Sequence, residues 1–534
     1  MVYHSGLFPR ALVWALVGLA TASQVNGAKA DPSVAAAVAA PKSLGDLTGP
    51  WILFVDDSPV ARRSQVVRRY HAFNKHPANP VLKADQPWEQ SVYLYGTVLP
   101  GEQRKGYRAW YHGTGRAMSN RGYFSAYAES NDGVHWTKPP LGIVPWQGNT
   151  NNNMILDRRR SPGDDHHPQV IHTPWDPDPA RRYRMLTFAY SDGYWASYSP
   201  DGIHWDDAAH NPVLVDPGDV GNFNWDPHRQ AYIGCTKLWL QVRGVNRRCV
   251  QFTQTRDFGS WPGAQLILTP DEADDRLRGG KPDFYGLSAF PYESMYIGFL
   301  WVYNANGGDD TINVELVSSH DGARWLRQEE PRPPILPLGS LGQWDDGMVF
   351  TPNHPVVDGD TIKLFYGGFD GPHKNPGARG AIGLATLRKD GFASLDAGED
   401  PGLVITRDLI RAAGPLRINA RATGGWLKAE LLDERGEVIA GYSRDDCEAF
   451  TGDNVAHTLR WAEKTGLPAA GRLRVRFVMR HASLFSFTAG AESRLAEDVL
   501  DIGSRLEPMV DDHLMDRLTD VEHRLHPPRP APCS

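Results

Sequence analysis

Five stretches of this 534-residue chain place a carboxyl group at a comparable point of a repeating unit. They hold Glu89; Asp164-Asp165 followed by His166-His167; Asp219 with Asn222 and Asn224; Asp283 with Tyr285; and Trp344-Asp345-Asp346. Carboxyl groups gathered in this way suit cleavage of a glycosidic bond. One must be protonated to give its proton to the leaving oxygen. Another must be ionised, as nucleophile or as base for water, and crowding of like charges pushes the two pKa values apart. Asp345 and Asp219 stand first as the working pair. Asp345 lies between Trp344 and Gly347 and Asp219 between Gly218 and Gly221, settings that allow close approach of a substrate. Glu89, Asp165 and Asp283 follow as further catalytic candidates. Asn222, Asn224, Tyr285 and Trp344 offer amides and aromatic faces to sugar hydroxyls and rings. Loops expected at the same end add Arg121, Asp192, Trp239, Arg243, Asp309, Asp370 and His373.

The elements that must position these groups announce themselves through a recurring phrase. Ser130-Asn131-Asp132-Gly133-Val134-His135-Trp136 returns as Ser199-Pro200-Asp201-Gly202-Ile203-His204-Trp205 and as Ser319-His320-Asp321-Gly322-Ala323-Arg324-Trp325. Looser copies surround Asp257 and Asp390. Asp-Gly makes a tight turn in which the Asp side chain bonds the backbone and Gly accepts a positive φ, and the Trp covers the edge of its unit. The phrase is structural, and its spacing of 56 to 69 residues marks units of a repeat array. Each unit carries a second strand dense in aromatic and branched residues, at 107–112, 183–190, 231–236, 295–303 and 362–367. The fold class is therefore all-β, a five-bladed β-propeller. In a propeller the starts of the innermost strands and the loops between second and third strands share one end of the axis. That rule collects the residues named above. It also sends Asp226 and Glu293, which sit in first-to-second turns, to the opposite end as structural residues.

Past 397 the phrase disappears, and strand-like runs with hairpin turns such as Asp433-Glu434-Arg435-Gly436 indicate a β-sandwich over 398–490. The propeller is expected over 47–397, after a signal peptide at 1–30 and an Ala/Pro-rich linker at 31–46. Arg10, an apolar run over 11–22 and Ala28-Lys29-Ala30 compose the export signal, which places the mature chain in the secreted or periplasmic space. The tail at 491–534 repeats the opening of the ordered region: Val510-Asp511-Asp512, Arg517, Arg524 and His526 match Val55-Asp56-Asp57, Arg62, Arg69 and His71 at a constant offset of 455. It reads as the truncated start of a second propeller.

A net charge of −7 with no basic block argues against a nucleic-acid partner, and no span for a membrane remains once the signal is removed. Four cysteines allow a disulfide between Cys235 and Cys249, on adjacent strands, or buried free thiols. No Cys/His cluster asks for zinc. No cofactor is required, while the surplus of Asp and Asn loops is compatible with a structural Ca²⁺.

The five-unit count, the Asn79-Pro80-Val81-Leu82 entry, the aromatic second strands, the Ser-x-Asp-Gly-x-x-Trp turns and the trailing β-sandwich resemble the five-bladed propeller glycoside hydrolases of families 32 and 43. The resemblance implies hydrolysis of furanosides in a plant or microbial glycan by acids at the starts of innermost strands. The family 32 nucleophile phrase Asn-Asp-Pro-Asn-Gly and its Glu-Cys acid motif are absent, and blade one lacks the family 43 opening. The acid and base assignments above therefore rest on position in the repeat. The expected function is an exported glycoside hydrolase with a carbohydrate substrate. The alternative is a carbohydrate-binding propeller without catalysis. A lyase or phosphorylase ranks behind both, since no cluster of Arg and Lys around an axial loop asks for phosphate.

Overall fold

The Asp-Gly phrases form the turns their chemistry dictates. In a computed structural model, Ser130 Oγ accepts from the Gly133 amide at 2.8 Å, and Asp132 Oδ1 accepts from the amides of Val134 and His135 at 2.8 Å each. Gly133 takes a φ of 82°. The same net recurs at Ser199–Asp201 and Ser319–Asp321. Trp136 and Trp325 each donate an indole N–H to the carbonyl of the turn glycine, at 3.1 and 2.9 Å. The structure describes residues 50–101, 104–115, 122–156, 166–189, 192–215, 218–410, 414–468, 472–489 and 494–495. The expected signal peptide, the linker, the repeated tail motif and the site candidates Asp165 and Arg121 lie outside them.

Each turn closes one antiparallel blade. Blade one comprises Ser91–Pro100, Tyr107–Thr114, Tyr123–Ser130 and Trp136–Thr137. Blade two comprises His166–His172, Tyr183–Ala189, Gly193–Ser199 and Asp206–Asp207. In blade three, Gly221–Asp226 lies innermost, followed by the long hairpin Ala231–Val242 and Val245–Thr255 and then Gln265–Leu268. Blade four is built on Asp283–Tyr292, Met295–Tyr303 and Ile312–Ser319. Blade five pairs Met348–Phe350 and Val356–Asp358 with Thr361–Phe369, followed by Gly380–Arg388. Its outermost strand, Asn74–Lys75, comes from the start of the chain and pairs with Thr386 and Ala385, which closes the ring. The protein is all-β, a five-bladed propeller with a β-sandwich.

The innermost strands splay near the axis and leave carbonyls without a ladder partner, which would be costly if they stayed unpaired. Side chains fill the gap. Asn224 Nδ2 donates to the carbonyls of Ala289 and Asn353 at 2.8 Å each, and Asn222 Nδ2 to that of Leu287 at 3.2 Å. Thr351 Oγ1 accepts from the Trp301 indole at 2.8 Å and meets Ser288 Oγ at 2.8 Å.

The sandwich differs from the expectation in where it begins. Ile52–Leu53, Val60–Ser64 and Val66–Tyr70, placed by sequence in the propeller range 47–397, hydrogen-bond into the C-terminal sheet against Phe487, Thr406 and Ala393 respectively. Ala393–Ala397 belongs to that sheet as well. Alternation shows that a strand forms but not which sheet edge receives it. Cys235 and Cys249 form no disulfide. Cys235 stands opposite Phe252 and Cys249 opposite Leu238, three residues out of step, so both stay free and buried. Among the described residues no helix is long and apolar enough to cross a membrane.

Candidate active site

Blades three, four and five bring one constellation together at the end of the axis where innermost strands start. Asp283 opens the innermost strand of blade four and is 1 % exposed. Its Oδ2 accepts from Arg248 Nη1 at 2.6 Å and its Oδ1 from Asn306 Nδ2 at 3.2 Å. Burial pushes the Asp283 carboxyl up, and the Arg248 guanidinium opposes that shift without cancelling it. Arg248 is itself held among aromatic faces, 4.3 Å from the ring centre of Trp239, 5.2 Å from that of Tyr285 and 5.3 Å from that of Tyr303.

Asp219, just ahead of the innermost strand of blade three, forms an ion pair with Lys237 on the next strand. The Asp219 side chain keeps 28 % of its surface exposed, while that of Lys237 is 6 % exposed. Burial pulls the Lys237 ammonium down, and Asp219 pulls it back up. The Lys237 Nζ lies 5.1 Å from the Tyr285 ring centre, so the two ion pairs flank one phenol.

That phenol belongs to a short hydrogen-bonded chain. The Tyr95 and Tyr285 hydroxyls share a hydrogen bond, and the Tyr285 hydroxyl meets His373 Nε2 at 3.0 Å. Burial, with the charges of Arg248 and Lys237 acting in the same direction, lowers His373 to about 4. The imidazole is therefore neutral at pH 7. Tyr95 stacks on Trp301 at 5.3 Å and lies 4.0 Å from the ring of His167. There the site passes into a cluster of His112, His166 and His167, with ring centroids 3.9 to 6.4 Å apart. His167 holds a φ of 62°, unusual for a residue with a Cβ. Burial drives His112 and His167 well below the usual histidine range, so both are neutral. Among the described residues no group of three or more His, Cys, Asp or Glu side chains is placed to hold a metal ion.

Of the expected site residues, Asp219, Asp283, Tyr285, Trp239 and His373 assemble here. Asp345 does not. It is 2 % exposed and bound to Lys75 at 2.6 Å and to the Tyr366 hydroxyl at 2.8 Å, with Trp344 packed on Tyr366. It pins the closing strand of blade five. Glu89 is likewise enclosed, accepting from Lys138 at 2.6 Å and from the Tyr111 hydroxyl at 2.9 Å. Asn222 and Asn224 are spent on the axial carbonyls described above. Arg243 reaches away from the site, to Asp275 at 2.9 Å and the carbonyls of Pro270 and Asp271. Asp370 closes its own loop by accepting from the Arg379 amide at 2.6 Å, and Asp309 does the same through Thr311. Asp192 lies in the turn after Tyr183–Ala189, its amide bonded to the Ala189 carbonyl at 3.0 Å. Asp226 is buried under Tyr296 and its own turn amides, a structural role.

Sequence reasoning passed over Lys237, Arg248, Tyr95 and Tyr303. A signal existed for the first two: both lie inside the strands of one hairpin, where a charge is unusual unless it has a buried partner.

No family model matches the chain, and no curated protein matches its sequence. Among solved structures it is similar to an N-acetylgalactosamine deacetylase from F. plautii in complex with blood group B trisaccharide: 15 % identity, TM-score 0.39, covering 62 % of this chain and 97 % of that one. It is also similar to a glycosyl hydrolase from Bacteroides ovatus, at 14 % identity and a TM-score of 0.40, covering 60 % of this chain and 94 % of that one. A structure from the GH130 family of mannoside phosphorylases, which contains glycoside hydrolases that target β-1,2 mannosidic linkages in Candida mannan, gives 14 % identity, a TM-score of 0.40 and coverages of 60 % and 94 %.

Proposed function

We propose that this chain is an exported glycoside hydrolase that works with Asp219 and Asp283 rather than with Asp219 and Asp345. The observation that carries the reading is the contrast between the two carboxyl groups. Both are ion-paired, but Asp283 is enclosed, with its pKa raised by burial, whereas Asp219 keeps 28 % of its side chain exposed. Environments that differ in this way suit an acid and an ionised partner. In the reaction, Asp283 in its protonated form gives its proton to the glycosidic oxygen as the bond to the anomeric carbon breaks. Asp219 either takes a proton from the attacking water or attacks the anomeric carbon itself, and retention or inversion at that carbon reports which. Lys237 holds the Asp219 carboxylate in place. Tyr285, held by Tyr95 and His373, and the exposed face of Trp239 offer surfaces for a sugar ring. A furanoside in a plant or microbial glycan is the substrate class this reading favours, on the strength of the sequence resemblance.

A carbohydrate-binding propeller without catalysis is the second reading, and one observation favours it. Asp219, Asp283, Asp345 and Glu89 each have a cationic partner, as groups in a static binding site often do. The test is reducing-sugar release from fructans, arabinans, arabinoxylan and pectin fractions, with binding to the same panel measured in parallel. Release that vanishes in the Asp219→Asn/Asp283→Asn double variant supports the hydrolase. Binding without release in the wild type supports the second reading.

A further inference from the structure

At the seam between propeller and sandwich, on the far side of the molecule from Asp219 and Asp283, a cavity of about 400 Å³ opens beside Glu293. Glu293 sits in the tight turn between the first two strands of blade four, with a φ of 50°. One carboxylate oxygen, Oε2, accepts from the Trp51 amide at 3.0 Å; Oε1 has no partner among the described residues. Leu53, Met295 and Tyr296 supply apolar wall.

The charges around Glu293 are unbalanced. Burial and the negative charge of Asp390 raise Glu293 to about 7, and Lys389 only partly offsets them. Asp390 is enclosed and held by the hydroxyls of Tyr292 at 2.8 Å and Ser486 at 2.6 Å. The cations facing the cavity are already engaged. Arg229 bonds Gln254 at 2.8 Å and the Asp321 carbonyl and lies 3.7 Å from Asp226. His320 pairs with Asp56 at 3.0 Å, which holds the Asp56 carboxyl down at about 2. His228 lies at the solvent edge.

Ser58 and His320 also line this cavity, but they form no nucleophilic relay. Ser58 Oγ at 2.8 Å and Asp56 Oδ2 at 3.0 Å meet the same imidazole nitrogen, Nε2, whereas a relay needs them on opposite nitrogens. A binding role is what remains. We propose that the cavity takes a small organic ammonium ion, with its charge on the Glu293 carboxylate and its carbon body against Leu53, Met295 and Tyr296. This assignment stands apart from the glycan reading and does not depend on it.

Benzylammonium and its neutral analogue benzyl alcohol test it by calorimetric titration of the full chain at pH 8 and pH 5.5. The expected result is benzylammonium binding at pH 8 that is at least tenfold tighter than benzyl alcohol binding, with Asp219→Asn unchanged. Binding should weaken at least tenfold in Glu293→Gln and also as the pH falls, because the proton competes for the same carboxylate. The pH dependence must flatten in Glu293→Gln, which separates the Glu293 carboxylate from His228 and His320, the imidazoles that also line the cavity. Equal binding of amine and alcohol by the wild type would overturn the assignment whether or not the variant folds. So would undiminished binding by folded Glu293→Gln, or no binding of benzylammonium at all.

Discussion

Replacing Lys75 by methionine separates a structural Asp345 from a catalytic one. The Asp345 carboxylate is 3 % exposed and has two donors, Lys75 Nζ at 2.6 Å and the Tyr366 hydroxyl at 2.8 Å. Lys75→Met leaves a buried negative charge facing one neutral hydroxyl. Breaking a fully buried ion pair from one side costs about 3–5 kcal/mol. The Lys75 side chain is 23 % exposed, so water screens part of that, and about 2–3 kcal/mol is the expected loss. Asp345→Leu combined with Lys75→Met should recover part of it, because an apolar pair needs no partner while the buried Tyr366 hydroxyl loses its acceptor. The damage should fall on ring closure, since Lys75 lies on the strand that the chain start contributes to blade five. Urea unfolding followed by tryptophan fluorescence and near-ultraviolet dichroism reads the loss. Proteolysis resolved by mass spectrometry should show earlier cleavage near 74–90. Lys75→Met within about 0.5 kcal/mol of wild type would refute the reasoning. A folded Asp345→Asn that lost activity about 100-fold or more would also refute it, by returning Asp345 to the chemistry.

Further outcomes follow from the same geometry. Asn224→Ala removes the donor to two axial carbonyls and should cost about 1–3 kcal/mol in unfolding experiments, without a selective loss of glycan binding. His373 is held near 4, below an unfolded histidine, so its contribution to stability is full above about pH 6.5 and is lost as the pH falls towards 4. After allowance for the partial exposure of the ring this amounts to at most about 2 kcal/mol. His373→Phe should flatten that part of the stability–pH curve. Cys235 and Cys249 should both be alkylated in denaturant without prior reduction, as peptide mass mapping will show.

The blades were legible because their signal is local. Asp-Gly needs only its own neighbours to fix a turn, and the spacing of those turns counted the units. The axial end was legible for Asp219 and Asp283, since each sits at the start of an innermost strand. Asp345 occupies an equivalent sequence position, yet it stands apart from the constellation around Tyr285 because its carboxylate is held by Lys75, which lies 270 residues away along the chain. Asn222 and Asn224 looked like sugar ligands for the same reason: amides that serve sugars also serve splayed backbone carbonyls. Lys237 and Arg248 were overlooked because strand patterning sorts residues by hydrophobicity and does not reveal that a cation has a carboxylate partner on a neighbouring strand or blade. The opening strands at 52–70 alternate as strands should, but the edge they join is chosen by packing against the sandwich.

The most direct measurement is the turnover of Asp219→Asn, Asp283→Asn and Asp345→Asn side by side, on whichever glycan of the panel the wild type cleaves, with folding verified for each. The account predicts losses of about 100-fold or more for the first two and near-wild-type turnover for the third. Full activity in Asp219→Asn or Asp283→Asn would contradict it.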